Sequence, residues 1–279
     1  MQKILLLGST GFIGSYFKEA LPKAGFEVFD PRIEIRDYDE VEKAVRSLEP
    51  DVIINATGMT GRPNVDWCET HQEETFSVNV DGSLNIAKAA HQHGINMVQM
   101  SSGCVYEGDN EGKGFTEEDE PNFKGSVYSR SRIASEKALK EFTNVLQLRI
   151  RMPITSKPNP RNFIDKLVKY DQIINITNSC TVIEDFVPAA IELIKRGEVG
   201  IFNMTNIGAM DHKEIMGLYK KIVQPDFELN LMPQGEQDTL CMRRSNCILN
   251  TDKREGIGVH MPPLKESVER ILEEYKKIN

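Results

Sequence analysis

The chain alternates between short apolar runs and longer segments in which apolar residues return every three or four positions. The short runs predict buried strands, and the longer segments predict amphipathic helices. Predicted strands cover residues 3–7, 27–30, 51–56, 95–102, 145–150, 173–176 and 200–205. Predicted helices cover residues 15–24, 38–48, 75–93, 186–195, 212–223 and 264–277, and two more begin at Ser126 and at Asn159-Pro160. Because strands and helices alternate, the sequence predicts an α/β fold built on a doubly wound parallel sheet.

The composition narrows the classes of protein to which the chain can belong. It is 39% hydrophobic and 27% charged, with a net charge of −8, as in an ordinary soluble globular protein. The negative charge disfavours nucleic acid and anionic membrane surfaces as partners, and no apolar run approaches the roughly 20 residues of a membrane span. The five cysteines lack metal-ligand spacing, so we expect no metal site and a reducing, cytoplasmic environment.

A glycine-rich stretch follows the first predicted strand. Gly8, Gly11 and Gly14 have the spacing G-x-x-G-x-x-G and lead into a helix, where backbone N–H groups can bind a pyrophosphate. Asp30 ends the second strand about 20 residues later, where an acidic residue holds the adenosine ribose of a dinucleotide. Arg32 could instead face a 2′-phosphate, so the predicted cofactor is NADP, with NADPH favoured over NADH. Further candidate cofactor contacts are Thr10, Phe12, Ile13, Asn55, Ala56, Thr57, Gly58 and Asn79.

These signals divide the chain unequally. We expect an NADP-binding Rossmann domain over residues 1–150 and a smaller C-terminal substrate domain over residues 151–279. Segments near residues 173–206 are expected to return to the first domain.

Two stretches contain the candidate catalytic groups. M-S-S-G-C-V-Y-E (100–107) ends a predicted strand at Ser102, and G-S-V-Y-S-R-S-R (125–132) opens a helix. Tyr128 and Arg132 lie one turn apart on the same face of that helix, and both are also candidate cofactor contacts. Two hydroxyls beside a fixed cation suit an enzyme that protonates a carbonyl oxygen during hydride transfer. Cys104, just beyond Ser102, is a second candidate acid–base group.

Longer motifs make the interpretation more specific. The glycine loop, N-A-T-G (55–58), Ser102 and Tyr128 together resemble the extended short-chain dehydrogenase/reductases. Five further stretches resemble the bifunctional 3,5-epimerase/4-reductases of nucleotide-rhamnose synthesis, relatives of dTDP-4-dehydrorhamnose reductase. They are T-G-R-P-N-V-D-W-C-E (60–69), S-G-C-V-Y-E (102–107), R-I-R-M-P-I (149–154), N-P-R-N-F-I-x-K (159–166) and R-S-N (244–246). The resemblance covers nearly the whole chain.

This resemblance implies a substrate and a set of roles. The substrate would be UDP- or dTDP-4-keto-6-deoxyglucose from a 4,6-dehydratase, and the product the corresponding nucleotide-L-rhamnose. Cys104 and Lys166 would exchange protons during 3,5-epimerisation, after which Tyr128 would protonate O4 and Ser102 would hydrogen-bond it. Substrate contacts would come from Arg62, Asn64, Trp67, Cys104, Arg161, Asn162, Arg244 and Asn246. At the level of the family, a homodimer is also expected.

One residue departs from the superfamily pattern, which is Tyr-x-x-x-Lys. Here Arg132 stands where the lysine is expected. Arginine keeps the positive charge and can bond a ribose, but it does not lose a proton near neutral pH and cannot relay one. Two alternatives therefore stay open: a reductase that works with a separate epimerase, and a non-catalytic dinucleotide-binding regulatory subunit. Cys104 and Lys166 argue against the first, and Arg132 supports the second.

Overall fold

The central element of the protein is a parallel sheet, seen in a computed structural model that describes residues 1–278. The strands are β1 (Lys3–Leu7), β2 (Glu27–Phe29), β3 (Val52–Asn55), β4 (Asn96–Ser102), β5 (Val145–Ile150), β6 (Pro153–Ile154), β7 (Thr181–Val182) and β8 (Gly200–Asn203). Six of them form the main sheet in the order β2-β1-β3-β4-β5-β8, and β6 pairs with β7 separately. All these pairings are parallel, so the predicted α/β class is confirmed.

Helices cover both faces of this sheet. They are α1 (Phe12–Lys23), α2 (Tyr38–Leu48), α3 (Trp67–Thr70), α4 (Gln72–Phe76), α5 (Ser83–Gln92), α6 (Val127–Leu139), α7 (Phe163–Lys169), α8 (Ile183–Arg196), α9 (His212–Ile222), α10 (Gln234–Cys241), α11 (Asp252–Gly256) and α12 (Leu264–Ile278). A π-helical segment, Ser77–Gly82, joins α4 to α5. The predicted helix over residues 75–93 is therefore a run of three segments rather than one uniform α-helix.

The two faces of the sheet follow from the alternation of side chains along each strand. Ile4 and Leu6 of β1 pack into a core with residues of α1 and α8. Leu5 and Leu7 point the other way, into a core with residues of α2 and α5. The strand order changes direction between β1 and β3, so the crevice beyond their carboxyl ends is the place where an open α/β sheet binds ligands.

Residues beyond position 150 contribute to two regions. Strand β8 pairs with β5 in the main sheet, and α8 packs in the same core as α1. A further core combines the apolar residues of β6, β7, α7, α9 and α12. Strand β6, whose Ile154 belongs to this smaller core, follows β5 after two residues, so the chain passes directly from the main sheet into the smaller region.

Two sequence-based assignments were wrong. Residues 173–176 do not form a strand, because only Ile173 forms a bridge, to Leu231. Helix α7 begins at Phe163 and not near Asn159, since Asn162 supplies the cap. The N–H of Asn162 donates to the carbonyl of Asn159 at 2.9 Å, so the preceding residues form a turn.

Two general features of the described chain bear on function. Within residues 1–278, no helix combines the length and the apolar character needed to cross a bilayer. In the same range, no group of three or more His, Cys, Asp or Glu side chains is placed to hold a metal ion.

Candidate functional site

In the loop between β1 and α1, backbone groups lie so close together that side chains would not fit at two of the glycines. Gly8 has a φ of +78°, and a Cβ at this position would lie 2.8 Å from the backbone of Ala56. A Cβ at Gly14 would lie 2.1 Å from the carbonyl oxygen of Gly8. Gly11 caps α1 without a side-chain hydrogen bond, so the N–H groups of the first turn are open to a ligand. Thr10, at the exposed surface of this turn, and the first helical residues Phe12 and Ile13 complete a cradle that fits a dinucleotide diphosphate.

The end of β2 carries the predicted determinants of the adenosine half. Asp30 accepts from Lys18 Nζ at 2.7 Å. Hydrogen bonds from Lys18 and then from Ser9 hold the pKa of Asp30 below its usual range. Asp30 is therefore ionised at neutral pH and can accept from a ribose hydroxyl, while Arg32 is exposed beside it.

Arg32 provides a test of cofactor choice. We expect Arg32→Ala to weaken NADPH binding at least about tenfold and to leave NADH binding nearly unchanged, because a charge-assisted bond to a phosphate contributes about 1.5–3 kcal/mol. Titration of both dinucleotides by fluorescence measures this. Arg36→Ala is the matched control, since Arg36 is also exposed but is engaged with Glu34 at 2.7 Å. Equal losses for NADPH and NADH would remove Arg32 from the phosphate role.

Tyr128 and Arg132 are held together on α6. Ser126 caps this helix, accepting from the N–H of Ser129 at 3.1 Å. Arg132 Nε donates to Tyr128 Oη at 3.3 Å, and its NH2 group donates to the carbonyl of Met100 at 3.1 Å. The predicted geometry of a fixed cation beside a phenol is thus present, with arginine in the place of lysine. A Cβ at Gly58 would lie 3.4 Å from this guanidinium, so glycine there leaves room for it.

Arg132 gives a second test. Arg132→Ala should slow NADPH oxidation by at least about a hundredfold, because a cation about 4 Å from a tyrosinate stabilises it by about 4 kcal/mol at an effective dielectric constant of about 20. Arg132→Lys should be at least as active as the parent, because lysine keeps the charge and can also exchange its proton. Steady-state NADPH oxidation measures both variants. An active parent that is indifferent to Arg132→Ala would show that this side chain has no part in catalysis.

Ser102 and Cys104 lie at the carboxyl end of β4. Ser102 Oγ accepts from the N–H of Cys104 at 3.1 Å, and the carbonyl of Cys104 accepts from Ser129 Oγ at 2.6 Å. Cys104 is thereby fixed between the strand and the helix that carries Tyr128. Its half-buried side chain packs in the same apolar cluster as Tyr128 and Trp67. The structure therefore brings Ser102, Cys104 and Tyr128 together, as the sequence predicted.

Lys166 faces this group from α7. Burial lowers its pKa first, Arg161 lowers it further, and Arg244 adds to the effect. Cys104 raises the pKa of Lys166, so the thiol and the amine lie within electrostatic range of each other. Lys166 can therefore release its proton more readily than an exposed lysine.

Cationic side chains surround the same region. Arg161 bonds to Thr60 Oγ1 and donates to the carbonyl of Gly61 at 3.4 Å. Burial lowers the pKa of Arg161, and the nearby Arg62 lowers it further. Arg244 donates to Asp66 at 2.6 Å. Positive charges at Arg62 and Arg161 beside Lys166 suit an anionic ligand such as a diphosphate, and Arg244, whose charge is paired with Asp66, lies close to them.

The loop over residues 60–69 is hydrogen-bonded to α6. Asn64 Oδ1 accepts from the N–H of Asp66 at 2.8 Å, and Glu69 accepts from the N–H of Val127 at 2.8 Å. Trp67 stacks on His71 with ring centroids 3.7 Å apart. Trp67 is half-buried, so one part of its ring packs against the cluster around Tyr128 while the rest is accessible.

Two predicted cofactor contacts have side chains that are already fully engaged. Asn79, in the π-helical segment, accepts from the N–H of Met59 at 2.7 Å and donates to the Met59 carbonyl and to Ser131. Asn55 accepts from the N–H of Thr57 at 3.0 Å and donates to Gln99 at 2.8 Å. Both side chains therefore shape the segment of Ala56, Thr57 and Gly58, and their contact with the cofactor stays a prediction.

Two predicted substrate contacts are also hydrogen-bonded within the protein. Asn162 is 0% exposed and donates to the carbonyl of Thr155 at 3.0 Å, while its side-chain oxygen caps α7. Asn246 donates to the carbonyl of Arg244 at 2.9 Å and accepts from Asn178 at 3.1 Å. Asn246 therefore fixes the backbone at Arg244 and Asn162 fixes the start of α7, while their contact with the substrate stays a prediction.

Sequence reasoning missed Arg151. It follows β5, which pairs with β4 so that Ile150 lies opposite Ser102. Arg151 NH1 reaches Cys104 Sγ at 3.4 Å. The signal was its position in R-I-R-M-P-I (149–154), because a residue just past one parallel strand lies beside the residues just past its neighbour.

Comparison with known proteins agrees with this geometry. A family model described as the RmlD substrate binding domain matches residues 1–277. The chain belongs to this family. A bifunctional dTDP-4-dehydrorhamnose 3,5-epimerase/dTDP-4-dehydrorhamnose reductase of Arabidopsis thaliana is 36% identical over 280 residues, covering 98% of this chain and 93% of the relative. The family resemblance inferred from the sequence motifs is thereby confirmed.

Other relatives match the chain over different shares of their own length. A trifunctional UDP-glucose 4,6-dehydratase/UDP-4-keto-6-deoxy-D-glucose 3,5-epimerase/UDP-4-keto-L-rhamnose-reductase of Arabidopsis thaliana is 38% identical over 273 residues. That match covers 95% of this chain but 41% of the relative, so the chain spans about two-fifths of that protein. The crystal structure of the L780 UDP-rhamnose synthase from Acanthamoeba polyphaga mimivirus has a TM-score of 0.93 at 32% identity. It covers 98% of this chain and 99% of its own.

Proposed function

We propose that the chain is an NADPH-dependent sugar-nucleotide enzyme that converts UDP- or dTDP-4-keto-6-deoxyglucose to the corresponding nucleotide-L-rhamnose. The conversion consists of 3,5-epimerisation followed by reduction of the C4 ketone. The bifunctional plant relative and the mimivirus synthase, which match this chain over nearly its whole length, support this activity. The substrate would come from a 4,6-dehydratase.

One observation carries the epimerase half of the proposal. Cys104 and Lys166 are within electrostatic range of each other, beside the cluster that contains Tyr128. A reductase needs the tyrosine and the cation, but it does not need a thiol and a partly buried amine in the same site. A pair of proton-exchanging groups has a clear use if carbons next to the ketone are inverted there.

The epimerisation follows from ordinary carbonyl chemistry. The C4 ketone acidifies the protons on C3 and C5, and inversion requires one group to remove a proton and another to return one to the opposite face. Cys104 and Lys166 exchange these protons. The lowered pKa of Lys166 brings its proton exchange closer to neutral pH than that of a free lysine.

The reduction uses the groups on β4 and α6. Bound NADPH supplies the hydride for C4. Tyr128 gives its proton to O4, and Ser102 hydrogen-bonds the same oxygen. Arg132, 3.3 Å from the phenol oxygen, stabilises the tyrosinate that remains. Arg62, Arg161 and Arg244 hold the diphosphate of the sugar nucleotide.

The experiment combines the purified protein, NADPH and a nucleotide-4-keto-6-deoxyglucose in deuterated water. The expected result is NADPH oxidation with formation of nucleotide-L-rhamnose that carries deuterium at C3 and C5. Running the reaction with both the UDP and the dTDP substrate determines which nucleotide is preferred.

A reductase without epimerase activity is the second candidate. A dTDP-4-dehydrorhamnose reductase of Escherichia coli, 27% identical over 299 residues, supports it. The same experiment separates the two, because a reductase alone consumes NADPH only when an already epimerised 4-keto sugar is supplied.

A further inference from the structure

Arg151 is a buried cation in contact with the candidate epimerase thiol. The residue is 1% exposed. Its Nε donates to Asn178 Oδ1 at 3.2 Å, and its NH2 group donates to the carbonyl of Ser245 at 2.6 Å. Its NH1 group donates to Ser245 Oγ at 3.0 Å and to Cys104 Sγ at 3.4 Å. The guanidinium is thus oriented on three sides, and one of its N–H groups points at the sulfur.

The charge of this arginine has no ordinary counter-ion among these partners. The side-chain amide, the hydroxyl and the carbonyl that it bonds are all neutral. Arg149, which is equally buried two residues earlier, is paired with Glu136 at 2.7 Å. Arginine keeps its charge under all ordinary conditions, and a buried unpaired charge is costly. A negative charge on the remaining partner, the sulfur of Cys104, would compensate it.

Two other thiols lie near Arg151 but are less suited to carry this charge. Burial works against the charged form of Arg151, while Cys247, Cys104 and Cys180 act the other way and raise its pKa overall. Burial raises the pKa of Cys180 to about 12, and burial also raises the pKa of Cys247. Cys104 is the half-exposed member of the three, at the candidate site. Cys104 is thus in contact with the cation of Arg151 and within electrostatic range of Lys166 and of the buried thiol of Cys247.

We propose that Arg151 is a positioning residue that keeps Cys104 in the thiolate form and so makes it the base of the epimerisation. The assignment as a base rests on the proposed function, whereas the thiolate itself does not. The Cys104 thiolate takes the proton from C3 or C5, and the electron pair of that C–H bond moves into an enolate with its charge on O4. The Lys166 ammonium returns a proton to the opposite face, and proton exchange with water restores both groups.

The test measures alkylation of Cys104 by iodoacetamide as a function of pH, without substrate, with the modified peptide identified by mass spectrometry. In the parent protein, the half-point of the profile should lie below that of the same peptide unfolded in urea. Arg151→Gln should slow alkylation at neutral pH at least about tenfold and leave the rate at high pH unchanged, since only the thiolate reacts. Arg151→Lys should restore part of the loss. Lys166→Met, which removes the other cation, should have a smaller effect than Arg151→Gln.

A profile that is the same in the parent and in folded Arg151→Gln would overturn the proposal. If Arg151→Gln does not fold, the parent decides: a half-point at or above that of the unfolded peptide also overturns it. Deuterium exchange at C3 and C5 separates this proposal from the proposed function. If the parent protein gives no exchange but the alkylation of Cys104 depends on Arg151 as expected, the thiolate proposal stands and the proposed epimerase activity is wrong. Exchange that persists in Arg151→Gln shows that Arg151 is not needed for the base.

Discussion

Tyr128→Phe is expected to stop NADPH oxidation while leaving deuterium exchange at C3 and C5 largely intact. The phenol is the group placed to protonate O4, with Arg132 Nε at 3.3 Å from its oxygen. Removing one positioned acid typically lowers the rate by about 10²–10⁴. Cys104 and Lys166 lie on other elements and keep their geometry in this variant. NADPH absorbance and isotope analysis of the recovered 4-keto sugar measure the two activities separately.

Tyr170→Phe is the matched control for this experiment. Tyr170 is 49% exposed and lies outside the cluster around Tyr128, so both activities should be unchanged. If Tyr128→Phe also abolishes exchange, Tyr128 takes part in both half-reactions, and the division between the two groups of residues is wrong.

Lys166→Met is expected to have the reverse effect of Tyr128→Phe: exchange is lost and reduction continues. Exchange at C3 and C5 should fall at least about a hundredfold, because one of the two proton-exchanging groups is lost. Reduction of an already epimerised 4-keto sugar should continue, since Tyr128 and Arg132 are unchanged. Lys169→Met is the matched control, because Lys169 is exposed on the same helix. Loss of both activities in Lys166→Met, with normal folding and cofactor binding, would count against a role confined to epimerisation.

The pH dependence of deuterium exchange at C3 and C5 should reflect the ionisation of Lys166. Burial is the first cause of the lowered pKa of Lys166, and Arg161 is the second. The ammonium that donates a proton is therefore lost at a lower pH than the value of about 10.4 for a free lysine. As the pH rises, exchange should decline before that value is reached. In Arg161→Gln, which removes one of the neighbouring charges, the decline should move to higher pH.

The sequence was most informative where a regular pattern and burial coincide. The bounds of β1, β5 and α2 were predicted correctly, because their apolar periodicity is clear. The start of α7 was wrong because Asn159 and Asn162 are both good caps, and only the three-dimensional path of the turn selects the second. Residues 173–176 are apolar enough for a strand, but an apolar run cannot reveal that just one bridge is available.

The site was predictable to a different extent. The meeting of Ser102, Cys104 and Tyr128 followed from strand ends and helix faces. The asparagines were harder, because Asn79 and Asn162 have the same chemistry whether they bond a ligand or a backbone group. Arg151 was missed for a related reason. Arginine is rarely buried, so the neighbouring sequence did not predict a cation inside the protein.

The pairing of β8 with β5 has a consequence for synthesis of the chain. When the ribosome has reached residue 150, β5 is an edge with unpaired N–H and C=O groups. That edge stays open until Gly200–Asn203 has been made, after α7, β7 and α8. Completion of the sheet is therefore a late, long-range event: it waits for about 50 residues that follow β5, although α9 and α12 of the smaller core are made only afterwards.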